Sequence, residues 1–169
     1  MKKIIECVPN ISEGRDTIII DKVIEVINSN KNVKLLNADP GSSTNRTVIT
    51  FVGDPDNVIN TAFEIIKKTQ ELIDMRNHKG EHPRMGATDV CPLIPISGIT
   101  MEETIKYAHK LSKKVGEELN IPVYCYEYAP TLRAFHPVAF VRLSTDGLRQ
   151  PPGRRQTVLP RWCRDLPLA

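Results

Sequence analysis

The alternation of short β-branched runs with longer stretches of helical periodicity constrains the fold of this chain more than any other feature. In the longer stretches the apolar residues recur at i, i+3 and i+4, as on the buried side of a helix. The order β-α-β-β-α-β-α-β predicts an α/β chain built as an α+β two-layer sandwich. Its helices pack on a mixed sheet around a ferredoxin-like β-α-β-β-α-β core. The runs suited to strands cover residues 4–9, 33–38, 47–52, 90–96 and 121–126.

Three start signals place the predicted helices. Asp16 is a suitable N-cap for the first helix, because a short polar side chain satisfies N–H groups that have no partner in the first turn. Asp54 precedes Pro55, whose fixed φ suits the first turn of a long second helix. Residues 100–103 have the form of a capping box and open a third helix that runs to about Asn120.

Turn formers separate the strand runs. Residues 39–45 join two β-branched runs, which predicts that those runs pair as antiparallel neighbours. Residues 10–15 read as a polar turn after the first strand. Pro92 and Pro95 interrupt the run at 90–96, which predicts an edge strand or an irregular one.

Composition predicts a cytoplasmic, globular protein. The chain has 169 residues, of which 40% are hydrophobic and 25% are charged, as expected for a single soluble domain. Glu6 and Pro9 stop the apolar run at the start, so no secretory signal is predicted, and no stretch reaches the roughly 18 apolar residues of a membrane span. The four cysteines lie far apart without zinc-binding spacing. We therefore expect reduced thiols, no metal and no membrane association.

The charge changes abruptly near residue 130. From Thr131 onward there are seven arginines, no lysine and two acids, a net charge of +5, whereas the residues before it carry −2. One interpretation is a basic arm for nucleic acid or an acidic partner. The other, which the lack of hydrophobic periodicity favours, is a frameshifted or fused end, so no nucleic-acid partner is expected. Residues 135–143 alone are compatible with a short strand. The predicted division is 1–128 for the domain and 129–169 for the tail.

Residues 77–92 combine two histidines, two cations and two carboxylates in a stretch too irregular for a helix or strand. Gly80, Pro83 and Gly86 break both periodicities, so these polar groups are not the solvated face of a regular element. Titratable groups on such a loop are typical of an active site. The alternative is an ordinary polar surface loop.

The histidines of this loop suit proton transfer better than metal binding. His78 and His82 stand four residues apart, but Gly80 and Pro83 argue against a helix through them, and Glu81 is not placed as in His-Glu-x-x-His. A histidine held between Glu81, Arg84 and Asp89 is expected to titrate near neutrality, which suits a general base.

Three segments of the chain together resemble the N-terminal subdomain of glutamate formimidoyltransferase (formiminotransferase). They are residues 6–15, 39–48 and 80–92, and the similarity spans about residues 3–128 in one register. The resemblance implies transfer of the formimino group from N-formiminoglutamate to N5 of tetrahydrofolate, a step of histidine degradation. Tetrahydrofolate would be a co-substrate, and both ligands are small molecules.

The resemblance also implies roles for individual residues. His82 corresponds to the catalytic histidine of the family and would take the proton from N5 of the folate. Asp39 corresponds to an acid of the active-site loop and would orient the histidine or the pterin. Arg46 and Arg84 are candidates for binding substrate carboxylates, since a guanidinium forms two parallel hydrogen bonds to a carboxylate. For Arg46 an anchoring role in the 39–45 loop is an equal alternative.

Polar residues of the first two loops are candidates for binding folate, because ligands of open sheets bind beyond strand ends. The same residues serve equally well as turn formers. The candidates are Asn10, Ser12, Glu13, Gly14, Ser43, Thr44 and Asn45.

The sequence departs from the family where a second subdomain is expected. Nothing in residues 131–169 resembles it, so half of the folate pocket is predicted to be missing. A separate chain carrying the second subdomain, or self-association, would be needed to complete a site. The alternative is a truncated, non-catalytic domain that binds folate or is a remnant.

Overall fold

The computed structural model describes residues 1–82, 84–126 and 140–143. The predictions for most of the basic tail, including its order and its origin, lie outside these described residues. The described strands are β1 Ile4–Cys7, β2 Asn10–Ile11, β3 Val33–Gly41, β4 Arg46–Gly53, β5 Thr88–Val90, β6 Leu93–Ser97, β7 Val123–Tyr126 and β8 Phe140–Leu143. The described helices are α1 Thr17–Ser29, α2 Pro55–Leu72 and α3 Met101–Leu119.

All three helix starts are confirmed. The Asp16 carboxylate accepts a hydrogen bond from the N–H of Ile18 at 2.9 Å, and Asp54 caps α2 with Pro55 in its first turn. Both bonds of the capping box at Thr100 are present. Each signal depends on residues within one turn, so the sequence alone is enough to place it.

The sheet confirms the predicted sandwich class and its ferredoxin-like core. The order β6-β1-β4 with β3 on the other side of β4 gives the four core strands, and α1 and α2 supply the two crossovers. Every described pair is antiparallel, where the sequence predicted a mixed sheet. The reason is that each crossover joins two parallel strands with a third strand between them, so parallel strands are never neighbours.

The long strand β4 carries the sheet beyond this core. Its second half pairs with β1, and its first half pairs with β2, from which the sheet continues to β5, β8 and β7. The strand predicted within residues 135–143 is thus present as β8. The domain boundary at residue 128 stays a prediction.

Alternate residues of β4 show how the layers are arranged. Thr47, Ile49 and Phe51 are fully buried in the core with the helices, whereas the residues between them are partly exposed on the opposite face. Arg46 and Val48 lie on that open face. Among the described residues, no helix has the length and apolar character needed to cross a membrane.

Two loop predictions are wrong in detail because remote strands pair with them. Asn10 and Ile11, predicted in a polar turn, form β2 between β4 and β5. Strand β3 continues to Gly41, so Asp39 lies in a strand opposite Val48 rather than in a loop. The prediction of an irregular strand at 90–96 is confirmed, because β5 and β6 are separate and β6 is an edge of the sheet.

Candidate active site

A cleft of about 400 Å³ opens within the loop between α2 and β5, which contacts the turn between β3 and β4. The loop carries both histidines that the sequence singled out. The lining residues are Met75, His78, Lys79, Gly80, His82 and Arg84.

Asn45 joins the histidine loop, which lines the cleft, to two neighbouring segments. It adopts the left-handed conformation with φ of 49°, which asparagine tolerates better than most residues, and it is buried. Its Oδ1 accepts from the N–H of Gly14 at 2.9 Å, and its Nδ2 donates to the carbonyl of Lys79 at 3.0 Å. The turn, the segment after β2 and the histidine loop therefore meet at one side chain.

Two glycines allow these segments to approach closely. A Cβ atom on Gly14 would lie 2.5 Å from the main-chain nitrogen of Arg46. A Cβ atom on Gly80 would lie 2.9 Å from the carbonyl carbon of Thr44. Main chain cannot move aside as a flexible side chain can. Both positions therefore require glycine because a Cβ atom would collide with main-chain atoms, and not because their φ angles are unusual.

Arg84 fastens the histidine loop to the turn. Its Nε and Nη2 donate to the carbonyl of His82 at 2.9 and 2.7 Å, and its Nη1 donates to the carbonyl of Asn45 at 2.6 Å. Nη2 also donates to the carbonyl of Thr44, and Nη1 contacts Nε2 of His78. These five contacts engage all five N–H groups of the guanidinium. Binding a substrate carboxylate would require Arg84 to release some of them.

Arg46 connects a buried acid with the candidate catalytic histidine. Its Nη1 donates to Oδ2 of Asp89 at 2.7 Å and lies 3.3 Å from Nδ1 of His82. Its Nε and Nη2 donate to Oδ1 of Asn10 at 3.1 and 3.0 Å. The Asp89 side chain is only 3% exposed, and its Oδ1 accepts from the N–H of Met85 at 2.9 Å. Asp89 thus anchors both Arg46 and the loop.

Asp39 lies apart from this network. It is exposed and opposes Val48, which in turn opposes Asn10, so Asp39 is on the same face two strands from Asn10, about 10 Å away. Within the described residues its carboxylate makes no hydrogen bond or ion pair. The acid that reaches the histidine through an arginine is Asp89, which the sequence counted only as a neighbour of the histidines. The available signal was an acid inside the apolar run 87–91.

The candidate folate residues mostly make hydrogen bonds within the protein. The Ser12 hydroxyl donates to the carbonyl of Gly86 at 2.7 Å, and Oε1 of Glu13 accepts from the N–H groups of the three residues that follow it. The Thr44 hydroxyl donates to the carbonyl of Gly41 at 3.1 Å, while Ser43 is exposed. These bonds fit the turn-forming alternative, and the folate role stays a prediction.

The cleft is electrostatically positive. Burial, and then the charge of Arg84, lower the pKa of His78 below its ordinary value. Burial and then the charge of Arg46 likewise lower the pKa of Arg84. Lys79 adds a further cation at the rim, so the site suits an anionic ligand. No group of three or more metal-binding side chains occurs among the described residues.

Comparison with known proteins identifies the family. Residues 4–150 match the family model of the formiminotransferase domain, N-terminal subdomain. The chain is 50% identical over 131 residues to formimidoyltransferase-cyclodeaminase of Dictyostelium discoideum, covering 78% of this chain and 24% of that protein. It is 44% identical over 131 residues to glutamate formimidoyltransferase of Streptococcus pyogenes serotype M1, covering 78% and 44%. It is 47% identical over 126 residues to glutamate formimidoyltransferase of Thermoplasma acidophilum, covering 75% and 42%.

The chain spans less than half the length of each of these relatives. The similar part includes the histidine loop and both segments packed against it, since the family match runs from β1 through β8. This chain belongs to the formiminotransferase family, in its N-terminal subdomain.

Proposed function

We propose that this chain is the N-terminal half of a folate-dependent formimidoyltransferase. The reaction moves the formimino group from N-formiminoglutamate to N5 of tetrahydrofolate. The observation that carries the proposal is that His82 lines a cleft with two cations and contacts Arg46, which pairs with Asp89, within a chain of this family. Both substrates carry glutamate carboxylates, which suit the charge of the cleft.

In this reaction a bond forms between N5 and the formimino carbon, and the bond from that carbon to the glutamate nitrogen breaks. N5 loses one proton and the departing nitrogen gains one. His82 is the proposed catalytic residue, because it lines the cleft and its imidazole suits proton transfer and hydrogen bonding alike. Asp39 is the second proposed catalytic residue. Its proposed role is to orient the histidine or the pterin.

The proposed ligand contacts follow from the same geometry. Arg46 keeps one N–H beyond those that bind Asp89, Asn10 and His82, so it offers a single hydrogen bond to a carboxylate. Arg84 binds a carboxylate only by exchanging internal bonds. Folate contacts are proposed for the two loops, at Asn10, Ser12, Glu13, Gly14, Ser43, Thr44 and Asn45.

A second half is needed to complete the proposed pocket. The relatives named glutamate formimidoyltransferase are more than twice as long as the part that matches this chain. We propose that a separate second subdomain, or self-association, supplies the remaining contacts. A cytoplasmic location is part of this proposal.

Titration calorimetry with tetrahydrofolate, run beside a formimino-transfer assay, tests the proposal. Binding is expected for the chain alone, and turnover is expected once a separate second subdomain is added. His82→Ala should abolish that turnover, and His109→Ala, on the remote helix α3, should leave it unchanged. Binding without turnover would support a non-catalytic folate-binding domain instead. If no heat is measured with tetrahydrofolate at about 1 mM, any binding is weaker than a Kd of about 1 mM, and the chain would be a non-binding remnant of the enzyme.

A further inference from the structure

Arg46 is itself held in place from two sides. Asp89 presents a buried carboxylate to Nη1, and the same carboxylate is fixed by the N–H of Met85. On the other side, the Asn10 amide donates from Nδ2 to the carbonyl of Val8 at 2.8 Å. That bond sets the orientation of the amide, so its Oδ1 faces the guanidinium. Because the planar guanidinium is hydrogen-bonded to Asp89 on one side and to Asn10 on the other, its Nη1 is held in a fixed position.

The second hydrogen of Nη1 is directed toward His82. A guanidinium has only donors and stays protonated in proteins, so a ring nitrogen that meets it must offer a lone pair. The distance of 3.3 Å between Nη1 and Nδ1 places that lone pair on Nδ1. In a neutral imidazole the proton is then on Nε2.

We propose that Arg46, anchored by Asp89 and Asn10, is a positioning residue that holds His82 in the tautomer with its proton on Nε2. The proposal rests on the function proposed above and refines it. In this tautomer Nε2 is a hydrogen-bond donor. When N5 attacks, the electrons of the carbon–nitrogen double bond move onto the formimino nitrogen, and a fixed N–H donor stabilises that nitrogen. This differs from the general-base role that the sequence suggested.

Nitrogen NMR on the uniformly ¹⁵N-labelled chain tests the proposal directly. Two-bond proton–nitrogen correlations of the ring, recorded at about pH 8 where histidine is neutral, show which nitrogen is protonated. We expect His82 to show the limiting shifts of a single Nε2–H tautomer, with His82→Gln assigning its signals. A proton on Nδ1, or averaged shifts typical of two exchanging tautomers, would overturn the proposal.

Variants separate positioning by Arg46 from an intrinsic preference of the ring. The double variant Arg46→Met with Asp89→Asn removes both charges of the pair, so no unpaired charge is left buried. Its His82 shifts should move from the limiting values to averaged ones. Arg76→Ala, which removes an arginine whose side chain is 86% exposed in the same loop, is the matched control and should change nothing.

Unchanged limiting shifts in a folded double variant would show that Arg46 does not hold the tautomer. Folding is checked in the same sample from the dispersion of its amide signals. Because the measurement needs no folate, its outcome is independent of whether the chain binds folate or turns it over.

Discussion

Each histidine of the loop between α2 and β5 pairs with an arginine, and the two pairs look alike but are held differently. In one, Arg84 meets Nε2 of His78, and its other donors go to main-chain carbonyls. In the other, Arg46 meets Nδ1 of His82, and its other donors go to a carboxylate and an amide. The first arginine holds the loop, whereas the second is itself held and acts on the histidine. The partners of a guanidinium, rather than its presence, thus indicate its role.

Opposite ring nitrogens face the two arginines. Since each guanidinium only donates, we expect His78 to carry its proton on Nδ1 and His82 to carry it on Nε2. In that tautomer the approach of Asn45 Nδ2 to Nδ1 of His78, at 3.4 Å, would bring two donors together. The spectrum described above should show both tautomers in one molecule.

Removing Asp89, the acid that holds Arg46, should have the largest effect on stability of the changes considered. Asp89→Ala leaves the mostly buried charge of Arg46 without its carboxylate, so the free energy of unfolding should fall by about 3–5 kcal/mol. Urea denaturation measures it. Asp74→Ala removes an exposed acid that pairs with Arg76 in the same loop, and its midpoint should barely move. Equal losses in the two variants would mean that burial does not distinguish them.

Removing Arg84 breaks the first pair with a smaller effect. Arg84→Ala deletes the hydrogen bonds from one cation to three carbonyls, yet carbonyls near the surface find water as a substitute partner. We expect a loss of about 3 kcal/mol and faster hydrogen exchange at Glu81, whose N–H bonds to the carbonyl of Ser43. Unchanged exchange at Glu81 would contradict the loop-holding role.

Asn45 is a neutral residue that holds the histidine loop near the pair of Arg84 and His78, through its hydrogen bond to Lys79. Its variants therefore test the holding role without a change of charge. Asn45→Ala loses two side-chain hydrogen bonds and forces alanine into the left-handed conformation, so we expect a loss of about 2 kcal/mol. Asn45→Gly loses the same bonds, but glycine adopts the left-handed conformation without strain. Its loss should be about half as large in thermal unfolding, and an equal loss would exclude strain as a contributor.

The smallest expected effect is the pH dependence due to His78. Its pKa is lowered in the folded protein by burial and by Arg84, so the unfolded chain binds this proton first as the pH falls. The contribution of His78 to stability is therefore complete above about pH 6.5 and is lost at lower pH. Denaturation midpoints between about pH 7.5 and 5 should fall less steeply in His78→Gln. The same slope in both proteins would contradict the prediction.

The sequence predicted what depends on neighbours along the chain. Asp16, Asp54 and Thr100 cap helices through bonds within one turn, so their residue types are sufficient signals. It failed at Asn10 and Asp39, because each lies in a strand only by pairing with β4. No local pattern reveals a partner that is remote in sequence.

The candidate site divides in the same way. Resemblance to a family pointed to His82, Arg46 and Arg84. The fold places His82 and Arg84 in the lining of one cleft and brings Arg46 into contact with His82. The bond between Arg46 and Asp89 joins residues 43 positions apart, on β4 and β5, and only the sheet order makes them neighbours. The charge on an arginine predicts that it finds an acceptor, but not which one.

Arg84 donates to main-chain carbonyls of the residues at positions 44, 45 and 82, so these contacts do not depend on which side chains those residues carry. A carbonyl is present at position 44 whatever residue stands there, so Thr44 is replaceable as far as this contact is concerned. Arg84 itself has no such substitute, because lysine lacks the planar fork that spans separate carbonyls. Across relatives we therefore expect drift at position 44 and an unchanging arginine at position 84, with selection acting on one side of the contact alone.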